Sequence, residues 1–158
     1  MMKIIGNIFG EVCKSLFPIT EELYFGNTNS SIAICTLSDI QLLKKIANSN
    51  LMKDIALVGR LLSENKGIDT IVRYVNSNHN LKTIIICGDD VFGHNSGHSL
   101  LALHKNGINL NGRIINSSSP DPVLIVSQME VTKFQNQVKI INKIGSSNLK
   151  EISKLVIS

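Results

Sequence analysis

The chain reads as an α/β protein, a mostly parallel sheet with helices on both faces, and three observations predict this. Short β-rich runs alternate with segments of helical period along most of the chain. The runs are almost continuously apolar, as strands covered on two faces are, instead of alternating apolar with polar residues. The 158 residues, 43% of them hydrophobic, suffice for one sizeable core and are too few for two. Together they predict one Rossmann-like domain over residues 19–158, preceded by an amphipathic helix over 1–18.

The N-terminal helix follows from Ile4, Ile5, Ile8, Phe9, Val12, Cys13, Leu16 and Phe17, which share one face, with Lys3, Asn7, Glu11 and Lys14 opposite. Pro18 ends it, lacking an amide donor and restricting the residue before it. Beyond the polar turn Gly26-Asn27-Thr28-Asn29, strands are expected at Ser31–Thr36, Asp54–Gly59, Leu81–Gly88 and Val138–Ile144. Helical patterns lie between them, carried by Ile40, Leu42, Leu43 and Ile46, by Ile68, Ile71, Val72 and Val75, by Leu100, Leu101 and Leu103, and by Met129, Val131 and Phe134. A last short helix is expected over Asn148–Val156.

Composition removes several function classes. The net charge of +4 comes from interspersed residues, without a Lys/Arg tract or interleaved aromatics, so nothing in the chain asks for a nucleic-acid partner. Cys13, Cys35 and Cys87 show no CxxC spacing, and the last two end apolar strand-like runs, which predicts buried reduced thiols. No apolar run approaches the ~18–20 residues of a membrane-crossing helix. Glu11 and Lys14 interrupt the N-terminal apolar stretch and no cleavage site follows, so the expected location is cytoplasmic.

In an open parallel sheet, ligands sit beyond the carboxyl ends of the strands. Three loops qualify: Thr36-Leu37-Ser38, the stretch from Gly59 to Gly67, and the stretch from Gly88 to Gly97. No G-x-G-x-x-G follows the first strand, which removes the main support for a dinucleotide. Ser63-Glu64-Asn65-Lys66 has the Ser-x-x-Lys spacing of serine β-lactamases without their companion motifs. It reads instead as a strand-to-helix loop whose polar groups meet a ligand, with Gly59 and Arg60 beside it.

The third loop is the densest. Gly88, Gly93 and Gly97 permit sharp turns and close approach of a large flat ligand, and His94 stands between two of them. A neutral imidazole there is a good ligand for a transition metal, although for a lone loop histidine a structural or hydrogen-bonding role is the leading reading of the residues alone. His98 lies four residues on, the spacing of a zinc pair, with Asp89 or Asp90 as a third ligand; Asn95 replaces the Glu of a His-Glu-x-x-His motif. His104 and His79 read as structural.

As a set, these residues resemble a known family. Ser31 through Ser38, the loop Gly59–Gly67 with Ile68-Asp69, and Cys87-Gly88 through Gly93-His94-Asn95-Ser96-Gly97-His98 are similar to the corrinoid-binding A subunit of the methanogen tetrahydromethanopterin S-methyltransferase. The similarity continues through Leu100-Leu101-Ala102-Leu103-His104-Lys105-Asn106-Gly107 and Gly112-Arg113-Ile114-Ile115, and covers roughly residues 24–145. The resemblance implies a domain that holds a cobamide, a vitamin B12-type corrinoid, with His94 as the lower cobalt ligand and the catalytic residue.

It further implies cofactor contacts from Thr36, Leu37, Ser38, Gly59, Arg60, Ser63, Glu64, Asn65, Gly67, Gly88, Gly93, His94, Ser96 and Gly97. The implied reaction carries a methyl group from methyl-tetrahydromethanopterin to coenzyme M, in methanogenesis. The implied partners are a methyltransferase subunit that brings the methyl donor, together with other subunits of a membrane complex, with the oligomeric state left open. The second ring nitrogen of His94 should be held by a neighbour that fixes its tautomer, and Asp89 or Asp90 are expected there.

The chain departs from the family pattern at His98, where glutamine is expected, and at Ser63 and Lys66, where threonine and leucine are more usual. The N-terminal helix is not a family feature, and the C-terminal membrane helix of the membrane-bound members has no counterpart here. The expectation is a soluble homologue or a cytoplasmic domain. Two other readings stay open: a ligand-binding homologue without the corrinoid, and a zinc-dependent hydrolase built on His94 and His98.

Overall fold

A computed structural model describes residues 23–158; the helix expected over 1–18 and Cys13 lie outside the described residues. Five strands form one sheet: β1 (Leu23–Phe25), β2 (Ile32–Cys35), β3 (Leu57–Gly59), β4 (Thr83–Gly88) and β5 (Lys139–Ile144), in the order β1-β3-β2-β4-β5. β1 runs antiparallel to β3, and every other pairing is parallel. The helices are α1 (Ile40–Ala47), α2 (Lys66–Ser77), α3 (Ser96–Asn106), α4 (Gln128–Gln137) and α5 (Leu149–Ile157), with a 3₁₀ turn at Asn50–Lys53.

The pleat of the central strands sorts their side chains onto two cores. Ala33, Cys35, Ile84 and Ile86 face α2, α3 and α4, whose Ile68, Val72, Leu100, Leu103 and Phe134 are buried against them. Ile34, Val58, Ile85 and Cys87 face α1 and α5, packing with Leu42, Leu43, Ile46 and Ile152. All six residues of β4 are buried, which is why Ile84-Ile85-Ile86-Cys87 is an unbroken apolar run. Cys35 and Cys87 are free, buried thiols, as expected, and burial, with Cys35 and Asp39 nearby, pushes the Cys87 thiol well above its ordinary range.

Helix starts follow local chemistry. Asp39 caps α1 through Leu42 N at 2.8 Å, and Ser127 with Glu130 forms a reciprocal capping box on α4. Asn148 caps α5. The exception is α3: its first flanking residue, Asn95, is left-handed (φ 48°) and makes no side-chain cap. Asp90 supplies the missing acceptor from the loop, taking Gly97 N at 2.9 Å and His98 N at 3.1 Å.

Three features differ from the sequence expectation. β1 is not among the strands expected, because three residues carry too little pattern to register. β3 begins at Leu57 and not at Asp54, because the 3₁₀ turn is closed by Asp54 and pairing starts only beyond it. Residues 107–127, which carry no clear period, form an ordered strap held by the bridges Ile108↔Ile114 and Arg113↔Val123. Asp69, buried on α2, anchors its far end by accepting the amides of Ile125 and Val126 at 3.0 Å each. Among the described residues no helix is long and apolar enough to cross a membrane.

Phe134 is fully buried at the junction of α4 with the sheet and packs T-shaped with the His104 ring, centroids 5.9 Å apart. Phe134→Ala should lower unfolding free energy by about 3–5 kcal/mol, seen as a lower urea midpoint at unchanged slope.

Candidate functional site

The three loops meet at the carboxyl edge of the sheet, where β2 lies between β3 and β4. The chain leaves β2 toward one side and β4 toward the other, so this edge is the switch point of the parallel strands. Leu37, just past β2, is buried in a left-handed conformation (φ 53°), a strain of about 1–2 kcal/mol that its surroundings must hold. They do so through Arg60, whose Nε donates to Leu37 O at 3.2 Å and whose Nη2 donates to Ser38 O at 2.9 Å. Ser38 in turn donates from its amide and hydroxyl to Asp89 O, at 3.1 and 2.7 Å, lashing the β2 loop to the β4 loop. Gly88 (φ 75°) allows that approach, because a Cβ there would stand 2.6 Å from Thr36 O.

Above this rim stand Glu64, from the β3–α2 loop, and His94, from the β4–α3 loop. They come from strands that do not pair with each other and meet across the end of β2. His94 Nδ1 lies 2.8 Å from Glu64 Oε2. Glu64 is 2% exposed, while the His94 side chain is 54% exposed, so a buried carboxylate grips an accessible ring. Glu64 Oε1 accepts the amide of Asp121 at 3.1 Å. Burial raises the Glu64 carboxyl pKa, but hydrogen bonds from its own backbone amide, the Asp121 amide and the His94 ring outweigh it and hold it below the ordinary value.

Because an ionised carboxylate only accepts, His94 Nδ1 carries the proton of this bond, so in the neutral ring Nε2 is the nitrogen with the lone pair. Among the described residues Nε2 has no hydrogen-bond partner. The backbone of His94 is held as well: Ser119, buried on the strap, donates its hydroxyl to His94 O, and its oxygen also meets Ser99, which contacts Ser117 at 2.7 Å. Asn65 Nδ2 reaches the Asp121 carboxylate at 3.1 Å. The strap therefore fixes both the ring and the main chain of His94.

The expectation that Asp89 or Asp90 holds the His94 ring is corrected. Glu64 holds it instead; Asp89 meets Ser38 through its main-chain carbonyl, and the Asp90 carboxylate binds His98 Nδ1 at 2.6 Å while capping α3. Burial raises the Asp90 pKa, yet the Gly97 amide, the His98 ring and the amides of Val91 and His98 bring it below the ordinary value. His94 and His98 thus hold separate carboxylates, and no group of three His, Cys, Asp or Glu side chains suited to a metal ion occurs among the described residues. His104 Nε2 binds Val138 O at 2.7 Å, in keeping with a structural role.

Of the remaining residues singled out in sequence, Thr36, Leu37, Gly59, Gly67, Gly88, Ser96 and Gly97 are buried and shape the rim from beneath. Ser96 donates to Leu61 O at 2.9 Å, and Ser63 Oγ accepts the Gly67 amide at 2.8 Å to start α2. Ser38, Arg60, Ser63 and Asn65 are partly exposed, and Gly93 and His94 are the exposed members. Sequence reasoning missed Ser99, Ser117, Ser119 and Asp121; the Ser117-Ser118-Ser119-Pro120-Asp121-Pro122 run reads only as a loop, and nothing local ties it to His94.

The Glu64 pKa is lowered on folding, so its contribution is full above the ordinary carboxylate value of 4.5 and disappears as pH falls through the lower folded value. Glu64→Gln should cost about 1–2 kcal/mol of stability at neutral pH. Urea titrations of both proteins across the acid range should show that difference shrinking below pH 4.5.

Comparison of the sequence with known proteins places this chain in a family. The family model described as the A subunit of tetrahydromethanopterin S-methyltransferase matches residues 11–157. The A subunit of a provisionally named methyltransferase, Mtx, from Methanosarcina barkeri is 39% identical over 142 residues, 89% of this chain and 68% of the relative. Its namesake in Methanosarcina acetivorans is 34% identical, over 88% of this chain and 67% of the relative. The tetrahydromethanopterin S-methyltransferase A subunit of Methanosphaera stadtmanae is 31% identical over 87% of this chain, which spans only 54% of that protein. A match over nearly the whole chain, including all three loops of the site, makes this protein a member of the A-subunit family of tetrahydromethanopterin S-methyltransferase.

Proposed function

We propose that this chain is a corrinoid-carrying component of a methyltransferase, holding a cobamide through His94. The observation that carries the reading is the oriented imidazole: Glu64 takes Nδ1, and the Nε2 lone pair stands accessible on a glycine-flanked loop. Imidazole nitrogen is a suitable donor for a transition metal, and a carboxylate on its other nitrogen fixes the tautomer and raises its basicity. The loop also leaves open space next to the histidine, since a Cβ on Gly93 would meet nothing within 4 Å. The Rossmann-like description belongs to the same proposal, supported by parallel strands in the order β3-β2-β4-β5 with the loops gathered at one edge.

A bound cobamide supplies a cobalt able to accept and give up a methyl group. The chain's own residues do the rest. Glu64 keeps His94 in one tautomer and one orientation. Ser119 and the strap keep its main chain in place, and Arg60 with Ser38 keeps the rim from opening. One small domain cannot enclose a cobamide and two substrates, so the methyl donor is presented by a separate subunit; the reading takes methyl-tetrahydromethanopterin as donor and coenzyme M as acceptor, as in the reaction implied by the family. Other members of a multi-subunit complex are the expected partners, at a cytoplasmic face.

Hydroxocobalamin titrated into the purified full chain should bind stoichiometrically with a visible spectral change and stay with the protein through gel filtration. His94→Ala should lose the spectral change while keeping its fold. A wild-type chain that retains no cobalt would end the corrinoid reading.

A further inference from the structure

We propose that Phe92 is a ligand-contact residue of this site, an apolar shelf for the flat face of the group that His94 holds. The proposal rests on the corrinoid reading above and adds a residue that neither the loop motifs nor the family pattern singled out. Phe92 is 100% exposed. Of the large apolar side chains exposed among the described residues, it is the one lying in the three loops at the carboxyl edge of the sheet; the others stand on residues 110–129 and at Ile157.

Its exposure is not that of a loose loop tip. His94 N donates to Val91 O at 3.1 Å and Asn95 N donates to the same carbonyl at 2.9 Å, closing a turn over Val91-Phe92-Gly93-His94. Gly93, at the third position of that turn, has φ 78°, as a type II turn requires. Asp90 Oδ1 fixes the entry by accepting Val91 N at 2.8 Å, and the same carboxylate caps α3 at the exit. Phe92 and His94 are thus the second and fourth residues of one pinned turn, within about 7 Å of each other along the chain.

A broad flat group held by His94 Nε2 would reach over the neighbouring residues of the same turn. Gly93 offers no side chain to obstruct it, and a Cβ added there would meet no atom of the described residues within 4 Å. Phe92 is the next surface along the turn. Ring burial against such a face recovers apolar area that the free protein leaves in water, and phenylalanine brings little rotamer entropy to lose.

The test compares hydroxocobalamin affinity of the full-length wild type with Phe92→Ala, Phe92→Leu and His94→Ala, read by visible titration, with thermal melting of each apoprotein beside it. Because the Phe92 side chain is fully exposed, its variants should melt like the wild type. Phe92→Ala should bind about tenfold or more weakly while showing the same histidine-dependent spectrum, and Phe92→Leu should recover most of the affinity. Equal affinity of wild type and Phe92→Ala, with the spectrum intact, overturns the proposal and leaves the corrinoid reading standing. Absence of any histidine-dependent spectrum in wild type overturns both.

Discussion

The hydrogen bond between Glu64 and His94 is the constraint on which the rest of the site depends. A carboxylate at 2% exposure must have its oxygens engaged, and the partners available are the His94 ring and the Asp121 amide. That requirement brings the β3 and β4 loops together over β2 and draws in the strap from much further along the chain. The same bond settles which nitrogen of His94 is free. An imidazole gripped on one side and open on the other is a ligand with its direction already chosen.

Around that pair the loops are braced by main-chain groups more than by side-chain contacts. Leu37 sits in a conformation that costs energy for a branched residue, and Arg60 compensates by collecting the two carbonyls that the turn leaves pointing at the rim. Ser38 ties the result to Asp89, and Gly88 lets the two strands' ends come close. Asp90 does for α3 what Asn95, turned left-handed, does not do, and in the same act holds His98. Rigidity at the rim is what a site needs if its central ligand is to be held in one direction without a bound group to organise it.

His98 shows how neighbouring residues with similar chemistry are given different surroundings. Four residues apart on the chain, the two rings invite a shared metal, yet each is committed to its own carboxylate, Glu64 for one and Asp90 for the other. His94 lies before the helix, in the turn, and His98 lies on the helix itself. The helical spacing argument therefore fails at its premise, since only one of the two residues is helical.

The sequence by itself determined the layered α/β plan, because the central strands β2 and β4 are buried on two faces and their apolar runs say so, and because helical period is visible in α1, α2, α3, α4 and α5. It also marked His94, through glycines whose spacing signals a tight exposed loop. Only the tertiary structure decided which carboxylate holds that histidine. Local proximity favoured Asp89 and Asp90, but hydrogen bonding is governed by distance in space, and the crossover of the chain at β2 sets Glu64 opposite His94 while helix capping occupies Asp90. The strap of residues 107–127 was illegible for the same reason: its order comes from Asp69, Glu64 and buried serines elsewhere in the chain, and a segment stabilised by distant partners leaves no period of its own to read.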